Sequence, residues 1–153
     1  MLLRSFSVAS VAVVLSLIAF SCSRPESEGK FVRVENRQID GTYLFEADMS
    51  DSLCTYDLTL YAKIDKKNVS IGGLPFVVRL VSPSGKIFTE TVYMKNSDKI
   101  RSSFYSSDFK ALYRSGLVPT EFGLWSVRIK TGHIDKLLGV GLVVSRNSLK
   151  SVG

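Results

Sequence analysis

The side chains able to do covalent or acid–base chemistry are few: one histidine, His133, and two cysteines, Cys22 and Cys54. A hydrolase of the nucleophile type needs a serine, threonine or cysteine beside a base, and a third group to orient that base. His133 is the single histidine base, and it falls in the polar break Thr131–Lys136 between two apolar runs, where no particular serine or aspartate is paired with it. A solvent-facing turn histidine is expected, and no catalytic residue is assigned. Zinc requires several His, Cys or carboxylate ligands at ligand spacing; there is no second histidine and no cysteine pair to supply them. Asp48-Met-Ser-Asp51 brings two carboxylates near a strand end, but the glycine and further oxygens of a calcium loop are missing, so an aspartate-rich turn is expected. Gly139 and Gly141 alternate with Leu138, Val140 and Leu142, which is not a phosphate loop but a strand whose bare face receives something bulky, and an aromatic from the neighbouring strand, such as Trp125, is the expected occupant. No metal, no cofactor and no enzymatic activity are expected.

Cys22 has a different chemistry. Met1 to Arg4 form a short basic start, Val8 to Phe20 an uncharged apolar run broken only by Ser10 and Ser16, and Ala19-Phe20-Ser21-Cys22 closes it with a small residue before a cysteine. This is the pattern of a secretory signal, and it resembles the lipobox of bacterial lipoproteins, with Ala19 where leucine is usual. The resemblance implies cleavage before Cys22 and acylation of that residue. Several acyl chains, each contributing about 0.8 kcal/mol per buried CH₂, hold a protein on a membrane without spanning it. The expected organisation is a cleaved signal peptide at 1–21, the lipidated cysteine and a flexible tether at 22–30, and one domain at 31–148. Ser23-Arg-Pro-Glu-Ser-Glu-Gly29 has no apolar residue and reads as the tether.

Cleavage removes one charge, Arg4, and takes the net charge from +6 to +5. The lysines and arginines are interleaved with acids and form no dense block, so a solvated surface is expected and no nucleic-acid partner. Roughly 130 residues remain, enough for one domain with a real core. With Cys22 acylated, Cys54 has no partner for a disulfide, and the fold must hold by packing.

The elements that position these residues read as strands. Cys54, Tyr56, Leu58, Leu60 and Ala62 line one face of a run while Thr55, Asp57, Thr59 and Lys63 line the other, the pattern of a strand with one face on a core. Further strands are expected at Thr42–Ala47, Leu74–Val81, Lys86–Met94, Leu124–Thr131 and Leu138–Ser145, with a weaker one at Phe31–Val34. Ser82-Pro-Ser-Gly85 is the clearest hairpin turn. Trp125, Val127 and Ile129 share one face of a central strand and belong to the core. Ser107-Asp108 either caps a short helix through Tyr113, ended by Gly116, or opens an irregular crossover between sheets. About seven short strands at this spacing predict an all-β fold, an antiparallel β-sandwich.

The strand sequences also resemble a family. Asp51, Tyr56-Asp57-Leu58 and Leu60, Leu74-Pro-Phe-Val-Val78, Pro83-Ser-Gly-Lys86, Glu90-Thr-Val92, Gly123-Leu-Trp-Ser-Val-Arg-Ile129 and Leu138-Gly-Val-Gly-Leu142 are similar to the gliding-motility-associated lipoproteins of the GldH type from Bacteroidota. Lys95–Gly116 departs from that family's glycine-rich pattern. The resemblance carries no catalytic residue and implies a small accessory lipoprotein of the cell envelope, linked to gliding and to the secretion machinery behind it.

Three expectations follow for this chain. It is a membrane-anchored interaction module whose partners are the membrane, through acylated Cys22, and other envelope proteins; the alternative is a glycan-binding surface lipoprotein. It sits at the outer membrane facing the periplasm, since Ser23 and not aspartate follows the cysteine. Its partner surface lies within Asn96–Thr120, a long connection carrying Lys99, Arg101, Phe104, Tyr105, Tyr113 and Arg114, the arginines and aromatics of interface anchors.

Overall fold

Side chains that alternate between apolar and polar must put one face of each strand on a common core, and two such sheets do so by stacking. The computed structural model describes residues 26–65, 71–133 and 136–149. Nine strands run through them: β1 (Ser27–Arg33), β2 (Tyr43–Met49), β3 (Cys54–Ile64), β4 (Leu74–Val81), β5 (Ile87–Met94), β6 (Lys99–Ser102), β7 (Ser107–Leu117), β8 (Gly123–Thr131) and β9 (Leu137–Ser148). One sheet has the order β1-β9-β3-β7-β6, the other β2-β8-β4-β5, and every pairing is antiparallel. The fold is an all-β sandwich that does not close into a barrel.

The core lies between the sheets. Tyr43, Phe45, Ala47 and Met49 from β2 meet Tyr56, Leu58, Leu60 and Ile64 from β3, with Phe76 and Val78 from β4 and Trp125, Val127 and Ile129 from β8. β8 is central, flanked by β2 and β4, so the shared face of Trp125, Val127 and Ile129 is the buried one. Ser82–Lys86 makes the expected hairpin: the amide of Gly85 donates to the carbonyl of Ser82 at 2.9 Å, and Gly85 takes the positive φ of 89° that the turn requires. Cys54 is buried at the start of β3, and its thiol donates to Asp51 Oδ2 at 3.4 Å. Burial first, and that contact with Asp51 second, push the thiol pKa up, so Cys54 packs as a small hydrophobe and not as a reactive thiolate.

Several expectations need correction. There are nine strands and not seven: Lys99–Ser102 forms β6, and Ser107–Gly116 is neither a helix nor an irregular crossover but lies in β7, paired with β3 along its length. Phe109 and Ala111 face the core while Asp108, Lys110 and Leu112 do not, a period of two that tertiary pairing enforces over the local capping signal at Ser107-Asp108. The folded part also begins earlier than Phe31. Ser27–Lys30 pair with Leu142–Ser145 of β9, which shortens the tether, because an exposed edge strand needs backbone partners and not apolar side chains. Cys22 and the signal segment lie outside the described residues.

The bare face at Gly139 and Gly141 is covered by an aromatic of the neighbouring strand, as expected, but that residue is Phe31 and not Trp125. A Cβ on Gly139 would sit 2.4 Å from the Val32 carbonyl oxygen and 2.6 Å from the Phe31 ring, and one on Gly141 would meet Tyr61 and Phe31 at 3.2 and 3.3 Å. Phe31 crosses from β1 and lies on the outer side of the sheet, where glycine alone leaves it room.

Candidate functional site

The segment expected to carry the partner surface folds as two distinct places. Lys99, Arg101, Phe104 and Tyr105 belong to the β6–β7 hairpin, whereas Tyr113 and Arg114 lie six or more residues along β7, about 20 Å away at strand spacing.

The hairpin tip is a four-residue reversal, Ser103–Ser106, closed by the amide of Ser103 donating to the Ser106 carbonyl at 2.8 Å and the amide of Ser106 donating to Ser103 Oγ at 3.0 Å. Two serines thus satisfy the turn through side chain and backbone together. The closure leaves Phe104 73% and Tyr105 75% exposed, their rings edge to face at 4.9 Å. Arg101 is exposed on the same hairpin, paired in register with Asp108, and the Lys99 ammonium lies 5.7 Å from the ring of buried Phe109, which anchors the hairpin to the core. Rings at 78° to one another do not form the flat platform on which a sugar face stacks.

Tyr113 and Arg114 act on the other sheet. Neighbouring residues of a regular strand point to opposite faces, but β7 shifts register against β3 on both sides of Leu58, which is paired with Arg114 while Thr59 is paired with Leu112. The bulge turns both side chains towards Glu90 of β5. The Tyr113 hydroxyl donates to Glu90 Oε2 at 3.2 Å, the Arg114 guanidinium binds the same oxygen, and its charge lies 5.1 Å from the Tyr113 ring. Burial, then the Glu90 charge, raise the Tyr113 phenol pKa and keep it protonated as a donor. Glu90 stands in the sequence within the Glu90-Thr-Val92 match, to which no contact or role is attached. Its signal is an acid at an inward position of β5, opposite buried Val78, one of the devices that guard an edge strand.

This clasp stands at one side of a cleft of about 860 Å³ between β5 and β7, with Met49, Leu80, Phe88 and Trp125 along its apolar wall. Phe88 and Trp125 contact at 6.0 Å between ring centres. The loop between β7 and β8 closes the end. There Glu121 accepts from Ser84 Oγ at 2.6 Å and from the Ser84 amide at 3.0 Å, and pairs with Lys86 at 3.0 Å. These contacts, the Ser84 hydroxyl foremost, lower its pKa from 4.5 to about 2. A carboxylate whose folded pKa is depressed stabilises the fold above its unfolded pKa and loses that contribution as the pH falls. Melting temperature should therefore drop on acidification between pH 4.5 and about 2, and Glu121→Gln should flatten that drop, as a pair of thermal melts across the window would show.

His133 is exposed in the turn after β8, as its sequence position suggested. Asp48 and Asp51 cap turns: Asp48 Oδ1 accepts from the Ser50 amide at 3.1 Å and Asp51 Oδ1 from the Leu53 amide at 2.9 Å. Among the described residues no group of three His, Cys, Asp or Glu side chains is placed to hold a metal ion, and no helix is long and apolar enough to cross a membrane.

No family model matches the chain. No curated protein matches it either. Among solved structures it is similar to dimeric latent PorU from Porphyromonas gingivalis, with TM-score 0.38 and 11% identity, over 81% of this chain and 13% of that one. It is also similar to tailspike protein 4 of bacteriophage CBA120, with TM-score 0.35 and 11% identity over 71% of this chain and 14% of that one. A third likeness, to a 4-O-methyl-alpha-glucuronidase with specificity for decorated arabinogalactans, has TM-score 0.34 and 14% identity over 80% of this chain and 14% of that one. The chain spans about one seventh of the length of each. Likeness this distant says nothing about activity.

Proposed function

We propose that this chain is a lipid-anchored lipoprotein of the cell envelope that works by binding another envelope protein, in the manner of the GldH-type gliding-motility lipoproteins it resembles, and that it is held at the outer membrane facing the periplasm. The single observation that supports the binding role most is the Phe104–Tyr105 pair. Two large aromatics, each about three-quarters exposed, are held on a hydrogen-bonded hairpin whose base is pinned to the core by Lys99 and Phe109. Solvated aromatics held in one geometry lose little further entropy on binding, and with Arg101 on the same hairpin they are the residue types that carry interface energy. Their place in the fold agrees. β1 begins at the opposite end of β9 from the hairpin, so an anchor at Cys22 leaves the tip facing away from the membrane.

The test is a double change, Phe104→Ala with Tyr105→Ala, in cells where the protein is crosslinked to its neighbours in the native membrane. Both side chains are exposed, so the melting temperature should stay within a few degrees while the crosslinked partner is lost. Arg114→Ala is the contrast, because it breaks the clasp to Glu90: it should weaken the hold on β5 and leave capture at the tip intact. A partner still captured by the double variant would overturn the assignment of the tip.

A further inference from the structure

We infer that the end of the sandwich from which the chain leaves toward Cys22 lies against the bilayer surface, with the loop tips Leu53, Val118 and Phe122, and Leu149 just after β9, dipping into its interfacial layer. The inference rests on the acylation of Cys22 proposed above. It begins from reach. Four residues lie between Cys22 and Ser27, the first residue of β1, and the five Cα-to-Cα steps from one to the other span at most about 17 Å when fully extended. β9 alone, Leu137–Ser148, has 12 residues and is about 40 Å long. The tether can therefore bring one end of the domain to the membrane but not the other.

That end is fixed by register. Ser27 pairs with Ser145, Cys54 with Ser148, Tyr56 with Leu117 and Met49 with Gly123, so the 50–53 loop, the 118–122 loop, the 82–86 turn and both described termini converge there. The apolar groups it presents are open to solvent: Leu53 is 74% exposed, Val118 61%, Leu149 58% and Phe122 47%. Leu53 and Leu149 are held side by side, with the Leu149 amide donating to the Leu53 carbonyl at 3.1 Å. Solvent is a poor environment for four such groups at one pole of a small domain, and the headgroup–acyl boundary is a good one.

Three of the acids near the pole do not meet the membrane as lone charges. Asp51 lies 3.8 Å from Arg146, Glu121 3.0 Å from Lys86 and Glu28 3.7 Å from Lys30, so these acids near the pole already have a cation beside them. An ion pair brought to a surface of lower dielectric loses less than a lone carboxylate would. Docking by this pole stands the strands upright on the membrane and sets Phe104 and Tyr105 at the far end, about 40 Å away.

The experiment uses the full acylated chain, reconstituted in nanodiscs of ordinary or brominated phosphatidylcholine. Leu53→Trp and Phe122→Trp each place an indole at the proposed contact, Tyr105→Trp places one at the far tip, and buried Trp125 is a constant background. Brominated lipid should remove about half of the added emission at positions 53 and 122, where depth is within the interfacial layer, and almost none at 105. Quenching at 53 and 122 no greater than at 105, in protein whose acyl mass on Cys22 is confirmed, would overturn the docking and leave the anchor standing. Absence of the acyl mass on Cys22 would overturn both.

Discussion

Trp125→Ala is expected to cost about 3–5 kcal/mol of stability, the range for removing a fully packed aromatic. Trp125 is 4% exposed in the central strand of its sheet, directly opposite Ala47 of β2, with Phe88 against its ring and its Nε1–H donating to the Glu121 carbonyl at 2.9 Å. Truncation removes the largest side chain on the inner face of β8 and leaves a hole beside the existing cleft. It also strips a part-buried carbonyl of its donor, a separate cost of roughly 1 kcal/mol. Domains of this size have only about 5–15 kcal/mol in hand, so the melting temperature should fall by roughly 10 °C or more, or the domain should fail to fold. Trp125→Phe keeps most of the packing and should cost much less. The chain has a single tryptophan, so its emission reports this site alone. An unchanged melting temperature, or free quenching by iodide in the native protein, would show that the inner face of β8 is wrongly assigned.

Cys22→Ala should abolish membrane retention. The proposed anchor is the set of acyl chains on that residue, each methylene contributing about 0.8 kcal/mol, so one residue carries nearly all the affinity for the bilayer. The contact inferred for Leu53, Val118, Phe122 and Leu149 is interfacial and too weak to replace it. Fractionation and acyl labelling check the outcome together: the variant should carry no label and should leave the membrane fraction. Recovery of an uncleaved variant, firmly bound to the membrane, would favour a retained apolar helix over a processed signal.

Period-two alternation made the class of the fold legible without any structure. Cys54 to Ala62, Leu74 to Val81 and Trp125 to Ile129 each announce one buried face, because a strand that covers a core must repeat every second residue. The Ser82–Gly85 reversal was equally plain, since proline and glycine set their own dihedral angles. These are local signals, and they survive folding unchanged. Tertiary pairing decided the rest. Ser107-Asp108 reads as a helix cap until β3 supplies Phe109 and Ala111 with a neighbour, and Ser27–Lys30 read as tether until β9 offers their backbone a partner. Phe31, and not Trp125, covers Gly139 and Gly141 because β1 and not β8 is the neighbour of β9. Tyr113 and Arg114 are apart from the hairpin tip because a bulge in β7 delivers both to Glu90 on the other sheet, 23 and 24 residues away in sequence. The sequence by itself determined the strands whose apolar side chains alternate, and which faces of those strands are apolar. Which strands become neighbours, where an edge is left open and which side chains meet across the sheets depended on closing the chain into two stacked sheets, a contact between distant segments that no local pattern encodes.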